Sequence, residues 1–320
     1  MRGQCVVQYG APLRTEVRDV PAISSREVLI RVRACALNFG DLLLIKGSYQ
    51  EKPALPFVLG MEFSGDITAI GADVKDLRVG DRVLACNGTG GLADYAAVAG
   101  AVCHRIPDTM SHVNAAAFPV AYGTAHVGLD YRARLVPGER LIVTGAAGGV
   151  GLTAVELGTR MGAEVVAVAR GAAKLDIARA AGAIHTLDSD TTDLREAVKA
   201  LGGADVVYDV VGGEQFRALM RATNPDGRLI PLGFASGTVP QIPANHLLVK
   251  NLTVIGYYWG GYARVNPKVL HSSMKTLLGW WEAGDLNPRI SHVLPFDQAN
   301  EALDLLRTRT ATGKVVVEIG

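Results

Sequence analysis

The feature that most constrains the fold is a glycine-rich segment, LIVTGAAGGVG, at residues 141–151. Four apolar or β-branched residues precede its first glycine, and a stretch with the helical spacing of apolar residues follows it. Gly148 and Gly149 lack a Cβ, so an anion can approach the backbone N–H groups at the positive end of that helix. The segment therefore predicts a strand, a tight turn and a helix that together bind the pyrophosphate of a dinucleotide.

The sequence around this segment alternates between two patterns. From residue 140 to residue 258, apolar runs typical of buried strands are separated by stretches with helical periodicity. This alternation predicts βαβ units, because parallel strands need a crossover connection. Residues 1–110 instead contain short β-type runs separated by Gly and Pro, which is typical of a compact, mostly β domain. The predicted fold class is α/β, with a doubly wound parallel sheet and a second, mostly β domain.

Length and charge exclude several classes of protein. The chain has 320 residues, enough for two domains at roughly 100–200 residues each. It carries 32 Lys and Arg against 31 Asp and Glu, which argues against nonspecific nucleic-acid binding. It lacks an apolar run long enough to span a bilayer, and its first residues, MRGQCVVQYG, lack the apolar core of a signal peptide. We therefore expect a cytoplasmic protein without nucleic-acid or membrane partners.

The end of the second predicted strand indicates which dinucleotide binds. Sites for NAD place an acidic residue there to accept hydrogen bonds from the ribose hydroxyls. This strand ends instead at Ala169, and Arg170 and Lys174 follow it. Their positive charge suits the additional 2′-phosphate of NADPH. The sequence therefore predicts NADPH as the cofactor.

Nine short segments taken together resemble one family. The chain is similar to the zinc-independent quinone oxidoreductases of the zeta-crystallin type, within the medium-chain dehydrogenase/reductase superfamily. The resemblance covers essentially the whole length. The segments are ALNFGD at 36–41, GSY at 47–49, LGMEFSG at 59–65, GDRV at 80–83, GLADY at 91–95, AYGTA at 121–125, AGGVG at 147–151, DVVGG at 209–213 and ATGK at 311–314.

The resemblance implies a division of the chain into parts. A GroES-like catalytic domain would cover residues 1–122, and an NADP-binding Rossmann domain would cover residues 123–260. Residues 261–320 would return to the catalytic domain. Members of the family usually form homodimers through edge strands of the nucleotide sheet. The apolar and aromatic segment Leu252–Trp259 is a candidate for that contact, although an edge strand could equally be covered within one subunit.

The resemblance also implies cofactor contacts at particular positions. These positions correspond to Thr124, Ala147, Gly148, Gly149, Val150, Ala169, Arg170, Lys174, Gly213, Gly233, Phe234, Tyr257, Tyr258, Trp259 and Lys314.

Two positions bear on metal binding. Zinc-dependent relatives carry a Cys and a His where this chain has Asn38 and Met61, and an amide or a thioether is a poor zinc ligand. We therefore expect no metal. Without zinc, the negative charge that grows on a reduced quinone needs hydrogen-bond donors, and Asn38 and Tyr49 can donate. Asp41 would orient its neighbours or cap a short helix, so the candidate catalytic residues are Asn38, Asp41 and Tyr49.

Two alternative functions remain open. Enoyl-thioester reductases share the expected fold, lack zinc and place an acidic Tyr in a G-x-Y segment like residues 47–49. In that case Tyr49 would help to protonate the product of hydride transfer to an enone or enoyl thioester. A third, weaker possibility is a crystallin-like structural or nucleic-acid-binding protein, which the balanced charge disfavours.

Overall fold

The computed structural model describes all 320 residues, Met1–Gly320. The chain forms two compact units. The first unit contains Met1–Val120 and Asn287–Gly320, and the second unit contains Ala121–Leu286. The second unit therefore continues beyond residue 260, the expected end of the nucleotide-binding domain.

The first unit consists mainly of strands. Its helices are short, and all elements are numbered in chain order. The strands are β1 (Arg2–Val6), β2 (Arg14–Val17), β3 (Glu27–Leu37), β4 (Phe57–Val58), β5 (Glu62–Ile70), β6 (Arg82–Cys86), β7 (Tyr95–Ala99), β8 (Cys103–Arg105), β15 (Ile290–Pro295) and β16 (Lys314–Glu318). The helices are α1 (Phe39–Lys46), α2 (His112–Ala116) and α11 (Ala299–Arg307).

A seven-stranded sheet organises the first unit. Its order is β15-β16-β3-β5-β6-β8, and β7 also pairs with β3. A smaller sheet has the order β2-β1-β4. In β3, Val28, Ile30 and Val32 alternate with more exposed residues, because successive side chains of a strand point to opposite faces. This alternation places one face of β3 in the apolar core and brings the carboxyl end of β3, at Leu37, next to β16.

The second unit contains parallel strands joined by helices. The strands are β9 (Arg140–Thr144), β10 (Glu164–Ala169), β11 (His185–Asp188), β12 (Ala204–Asp209), β13 (Thr223–Pro231) and β14 (Thr253–Val254). The helices are α3 (Pro119–His126, which begins at the end of the first unit), α4 (Gly149–Arg160), α5 (Ala172–Ala180), α6 (Leu194–Ala200), α7 (Gly213–Ala222), α8 (Ala244–Lys250), α9 (Tyr262–Val265) and α10 (Pro267–Glu282). A π-helical turn, Val127–Arg132, follows α3.

The sheet of the second unit is doubly wound. Its order is β11-β10-β9-β12-β13-β14, and every neighbouring pair is parallel. Five of the six residues of β10 are buried, as expected for a strand covered by helices on both faces. The direction of winding reverses between β9 and β12, which is where ligands bind in sheets of this kind. The predicted fold class is confirmed.

Side-chain contacts explain why α10 belongs to the second unit. The Ser273 hydroxyl lies 3.0 Å from Nδ1 of His126, and the ring of Trp280 packs edge-on against that histidine. Arg160 forms a 2.7 Å ion pair with Asp285 just beyond the helix. Ser273, Met274 and Leu277 of α10 are buried, so this face of the helix packs within the second unit. None of the helices combines the length and the apolar character needed to cross a membrane.

Candidate active site

The glycine-rich turn connects β9 to α4 as the sequence predicts. Gly145 has a φ of +58°, which L side chains rarely adopt, so glycine is required there. A Cβ on Gly151 would lie 2.2 Å from the carbonyl oxygen of Gly145, so this glycine allows the helix to pack close to the strand. A Cβ on Gly148 would meet nothing nearer than that same oxygen, at 3.4 Å. Gly148 therefore borders open space, whereas Gly151 is a packing residue.

The amino end of α4 is free of internal caps. Its N-cap residue, Gly148, offers no side chain to accept hydrogen bonds from the first turn, and that turn contains no acidic residue. The first N–H groups of a helix have no partner within the helix and carry partial positive charge. The start of α4 therefore offers free backbone donors, has no acidic side chain nearby and borders open space at Gly148. These properties fit the pyrophosphate of a dinucleotide.

Three loops converge at the carboxyl edge of the parallel sheet. They follow β9, β12 and β13. A Cβ on Gly145 would lie 2.6 Å from Val210, and a Cβ on Gly233 would lie 3.0 Å from the carbonyl oxygen of Val210. A Cβ on Gly212 would lie 3.1 Å from the ring of Phe234. The predicted cofactor residues Gly213, Gly233 and Phe234 therefore lie around the point at which the strand order reverses.

A buried pair of polar side chains, Thr144 and Asp209, lies at this edge of the sheet. The Thr144 hydroxyl donates to Oδ1 of Asp209 at 2.5 Å, and both side chains are fully buried. The Asp209 carboxylate also accepts the backbone N–H groups of Val211 at 3.2 Å and Gly212 at 2.8 Å. Burial raises the pKa of Asp209, while these hydrogen bonds oppose the rise. The only sequence signal was a Thr and an Asp at the ends of two apolar strands.

The residues predicted to contact the adenosine phosphate lie beyond β10. Ala169 ends that strand, Arg170 follows it, and Lys174 lies in the first turn of α5. Arg170 is exposed and forms a 3.0 Å ion pair with Asp190, a partner for which the sequence contains no signal. The Arg170 charge is therefore partly offset by a neighbouring carboxylate.

The remaining predicted cofactor residues fall into two groups. Thr124 lies in α3, and its carbonyl oxygen accepts a 3.3 Å hydrogen bond from the hydroxyl of Tyr257. Trp259 packs so closely against α3 that a Cβ on Gly123 would lie 2.7 Å from its ring. Tyr258 lies between Tyr257 and Trp259 in the chain. Lys314 belongs to the first unit instead and is buried there beside Asn38.

A buried polar cluster in the first unit contains Asn38, Glu62 and Lys314. The Lys314 ammonium group donates to Oδ1 of Asn38 at 2.6 Å, to Oε1 of Glu62 at 2.7 Å and to the carbonyl oxygen of Leu37 at 3.2 Å. The amide nitrogen of Asn38 donates to the same Glu62 oxygen at 2.8 Å. The other Glu62 oxygen accepts the backbone N–H of Val120 at 2.7 Å. Glu62 was visible in a motif, but only the fold shows that it faces a lysine 252 residues away.

Asp41 and Tyr49 adjoin the same helix. The Asp41 carboxylate accepts the backbone N–H of Asn38 at 2.8 Å and so caps the start of α1. Burial raises the pKa of Asp41 to about 7, although the Asn38 N–H and the Lys314 charge favour the ionised form. The Tyr49 ring follows the end of α1 and folds back towards its start, since a Cβ on Gly40 would lie 3.3 Å from it. The three predicted catalytic residues therefore lie around one short helix.

The donor set does not fit a zinc ion. Asn38 and Met61 offer an amide and a thioether, whereas zinc prefers thiolate, imidazole and carboxylate ligands. No group of three or more His, Cys, Asp or Glu side chains is arranged to hold a metal ion. The acceptor oxygen of Asn38 is already bonded to the Lys314 ammonium group.

A second polar array contains Ser64, His112 and Asp66. The Ser64 hydroxyl lies 2.9 Å from Nδ1 of His112, whose Nε2 lies 3.3 Å from Asp66. Ser64 is only 1% exposed, and its hydroxyl also lies 2.7 Å from the Val83 carbonyl oxygen. A nucleophile must be accessible to its substrate, so this array anchors α2 to the sheet and does not suit acyl transfer.

Comparisons with known proteins agree with this architecture. Residues 24–108 match the family model of the alcohol dehydrogenase GroES-like domain, and residues 149–276 match that of the zinc-binding dehydrogenases. A quinone oxidoreductase-like protein 2 homolog from Nematostella vectensis is 39% identical over 317 residues, which cover 97% of this chain and 87% of that protein.

Two solved structures are similar over the whole chain. The quinone oxidoreductase from Thermus thermophilus, solved alone and with NADPH, is 33% identical with a TM-score of 0.88, and the match covers 100% of both chains. The quinone oxidoreductase from Pseudomonas syringae is 27% identical with a TM-score of 0.93, again over 100% of both chains. With this fold, this glycine turn and these relatives, the chain belongs to the quinone oxidoreductase-like family of the medium-chain dehydrogenase/reductase superfamily.

Proposed function

We propose that the protein is an NADPH-dependent reductase that transfers hydride to a quinone or a related conjugated carbonyl compound without a catalytic zinc ion. The observation that carries the proposal is the uncapped, glycine-lined amino end of α4 at the reversal point of the sheet. Two kinds of relative support it. One is named a quinone oxidoreductase-like protein, and another is a quinone oxidoreductase solved in complex with NADPH.

The second unit supplies the cofactor site in this proposal. NADPH, when bound, supplies the hydride. The backbone N–H groups at the start of α4 bind its pyrophosphate. Arg170 and Lys174 bind its 2′-phosphate, for which a guanidinium group is well matched. The loops after β12 and β13 enclose the cofactor at the carboxyl edge of the sheet.

In this proposal the Asn38 side chain polarises the electron acceptor. Hydride transfer to a quinone leaves negative charge on its oxygen, and a preorganised donor stabilises that charge. The Asn38 amide nitrogen has two N–H groups, and Glu62 accepts one of them. The other donates to the acceptor oxygen. One such donor typically contributes on the order of 3 kcal/mol to transition-state stabilisation.

Steady-state oxidation of NADPH tests the proposal. The panel contains 9,10-phenanthrenequinone, simple enones and enoyl thioesters, each with NADPH and with NADH, on protein whose zinc content has been measured. We expect the highest kcat/KM with NADPH and the quinone, in protein without stoichiometric zinc. Turnover that requires zinc contradicts the zinc-free mechanism, and absence of turnover with every quinone contradicts the substrate class.

A reductase of enoyl thioesters is the second candidate. The position of Tyr49 favours it, because its ring folds back on the helix that begins after Asn38. In this reaction hydride adds to the β-carbon, and the Tyr49 hydroxyl supplies a proton to the α-carbon or to the enolate. A higher kcat/KM with the enoyl thioesters than with the quinones supports this second candidate.

A further inference from the structure

We infer that Glu62 and Lys314 are positioning residues that hold the Asn38 amide in one orientation, with one N–H of its nitrogen left for the electron acceptor. This inference rests on the proposed function. It explains how the buried cluster of Asn38, Glu62 and Lys314 orients the amide that donates to the acceptor. Neither residue contacts the acceptor. Both act through Asn38.

The hydrogen-bonding capacities of the three side chains permit one arrangement. A lysine ammonium group only donates, and an ionised carboxylate only accepts. Oδ1 of Asn38 lies 2.6 Å from Nζ of Lys314, and its nitrogen lies 2.8 Å from Oε1 of Glu62. Rotation of the amide by 180° would place NH2 against the ammonium group and oxygen against the carboxylate. The ion pair therefore excludes the flipped amide.

Burial strengthens the preference of the Asn38 amide for this one orientation. Asn38 is 9% exposed, Lys314 is 4% exposed and Glu62 is fully buried, so water does not replace the lost contacts of a flipped amide. In such surroundings hydrogen bonds polarise one another. The Lys314 charge on Oδ1 draws electron density from the amide and makes its N–H groups stronger donors.

Stability alone is a weak reason for such a pair. A buried ion pair is often no more stable than apolar residues of the same volume. In addition, nearly all of the hydrogen-bond donors and acceptors of this cluster are bonded to protein groups. Lys314 donates three times, and both Glu62 oxygens are bonded. The second N–H of Asn38 is the donor of the three side chains that remains without a protein partner.

A double-mutant cycle separates positioning from a structural role. Asn38→Ala should lower kcat for quinone reduction about 100-fold, and Lys314→Met should lower it about 10- to 100-fold. If Lys314 acts through Asn38, adding Lys314→Met to Asn38→Ala changes kcat less than about 2-fold. An equal loss in both backgrounds overturns the inference. The KM for NADPH should stay constant throughout.

A second variant covers the case in which Lys314→Met does not fold. Glu62→Gln/Lys314→Met removes both charges together and leaves no unpaired buried ion. We expect the same loss of kcat from this variant with an unfolding temperature close to that of the wild type. Wild-type kcat in this variant overturns the inference. As a matched control, Arg140→Met removes a half-buried cation that lies 2.7 Å from Glu164 in the second unit. It should lower stability and leave kcat unchanged.

A readout without turnover keeps the test independent of the proposed function. In ¹⁵N-labelled protein, the Asn38 side-chain amide, assigned by its loss in Asn38→Ala, should show two separate proton signals shifted by the neighbouring charges. In Glu62→Gln/Lys314→Met these signals should move and broaden as the amide samples both orientations. Unchanged signals overturn the inference. Failure of the wild type to reduce any quinone refutes the proposed function instead, and leaves this measurement valid.

Discussion

The Thr144 hydroxyl donates a 2.5 Å hydrogen bond to the Asp209 carboxylate, and this bond joins the carboxyl ends of β9 and β12. These are the neighbouring strands between which the sheet reverses its winding. The Thr144 oxygen in turn accepts the backbone N–H of Val210 at 3.0 Å. One buried pair therefore fixes the two loops that would enclose the pyrophosphate.

Thr144→Val removes that hydroxyl and keeps the side-chain shape. Asp209 and the Val210 N–H each lose a partner, so we expect a loss of about 1–3 kcal/mol in the free energy of unfolding. Because the two loops are then less fixed, the Kd for NADPH should rise about 5- to 20-fold in a fluorescence titration. Thr144→Ser keeps the hydroxyl and should remain within about 2-fold of the wild type. Equal NADPH affinity in the valine and serine variants contradicts this role.

Gly148 and Gly151 should respond differently to alanine. Gly148→Ala adds a methyl group where the nearest protein atom is 3.4 Å away, so stability should remain near the wild-type value. The same methyl group occupies the space needed by the pyrophosphate, and the Kd for NADPH should rise at least 10-fold. Gly151→Ala forces a 2.2 Å contact with Gly145 and should lower the unfolding temperature.

Gly279→Ala is the matched control for both glycine variants. Its Cβ would meet nothing within 4 Å, and the residue lies inside α10. Alanine is the better helix former by about 1 kcal/mol, so this variant should be slightly more stable and bind NADPH normally. Calorimetry and fluorescence titration measure both properties. Normal NADPH affinity in Gly148→Ala contradicts the assignment of the pyrophosphate to the start of α4.

Removing the Asp190 charge should strengthen NADPH binding. Asp190 forms an exposed ion pair with Arg170, and Asp190→Asn frees that guanidinium group for the 2′-phosphate. We expect the Kd for NADPH to fall about 2- to 5-fold at low salt, and the Kd for NADH to stay constant, since exposed charges interact weakly and are screened. Asp176→Asn, which removes the partner of Arg179 on α5, is the control. An equal increase in the affinity for NADH shows that Arg170 does not bind the 2′-phosphate.

Asp41 should make stability depend on pH. Its folded-state pKa of about 7 lies above the ordinary value of 3.8, so the folded protein binds a proton more tightly than the unfolded chain does. The resulting stabilisation is complete below about pH 4 and is lost as the pH rises through about 7. Between pH 5 and pH 8 the wild type should lose about 2–3 kcal/mol relative to Asp41→Asn. Urea unfolding at both pH values measures the difference, and parallel curves for the two proteins disprove the assignment.

Tyr49→Phe should separate the two candidate reactions. It removes only the hydroxyl, so enoyl-thioester reduction, which needs a proton on carbon, should fall about 100-fold. Quinone reduction should fall less than about 3-fold, because the oxygen of a quinone acquires its proton from water. Tyr9→Phe is the control, since the Tyr9 hydroxyl bonds to the Pro53 carbonyl oxygen and its ring packs on Gly47 at the end of the same helix. An equal loss on both substrates removes the distinction between the two reactions.

The local parts of the nucleotide site were predictable from the sequence. The second strand of the nucleotide-binding domain ends at Ala169 as predicted, and the glycine turn lies at the start of a helix as predicted. Apolar periodicity and glycine spacing act within a few residues, so a single sequence records them. The π-helical turn Val127–Arg132 was not predicted, because one additional residue per helical turn leaves little signal in that pattern.

The partners of charged residues were not predictable. Arg170 and Asp190 are 20 residues apart, and Lys314 meets Asn38 across 276 residues. Nothing in the spacing of these residues indicates which of the many charged groups they face. The extension of the second unit to Leu286 could not be predicted for the same reason, because it depends on contacts between α10 and the last residue of α3, His126.

By itself, the sequence determined where the chain turns and which segments form strands and helices. It also determined that a glycine-rich turn able to bind a dinucleotide precedes one of those helices. These properties follow from backbone freedom at glycine and from the periodic burial of apolar side chains, which are local. Only the tertiary structure decided that Lys314 and Glu62 enclose Asn38 and that Thr144 joins Asp209. These contacts form when strands that are distant in sequence become neighbours in a sheet, and the buried polar groups must then find partners there.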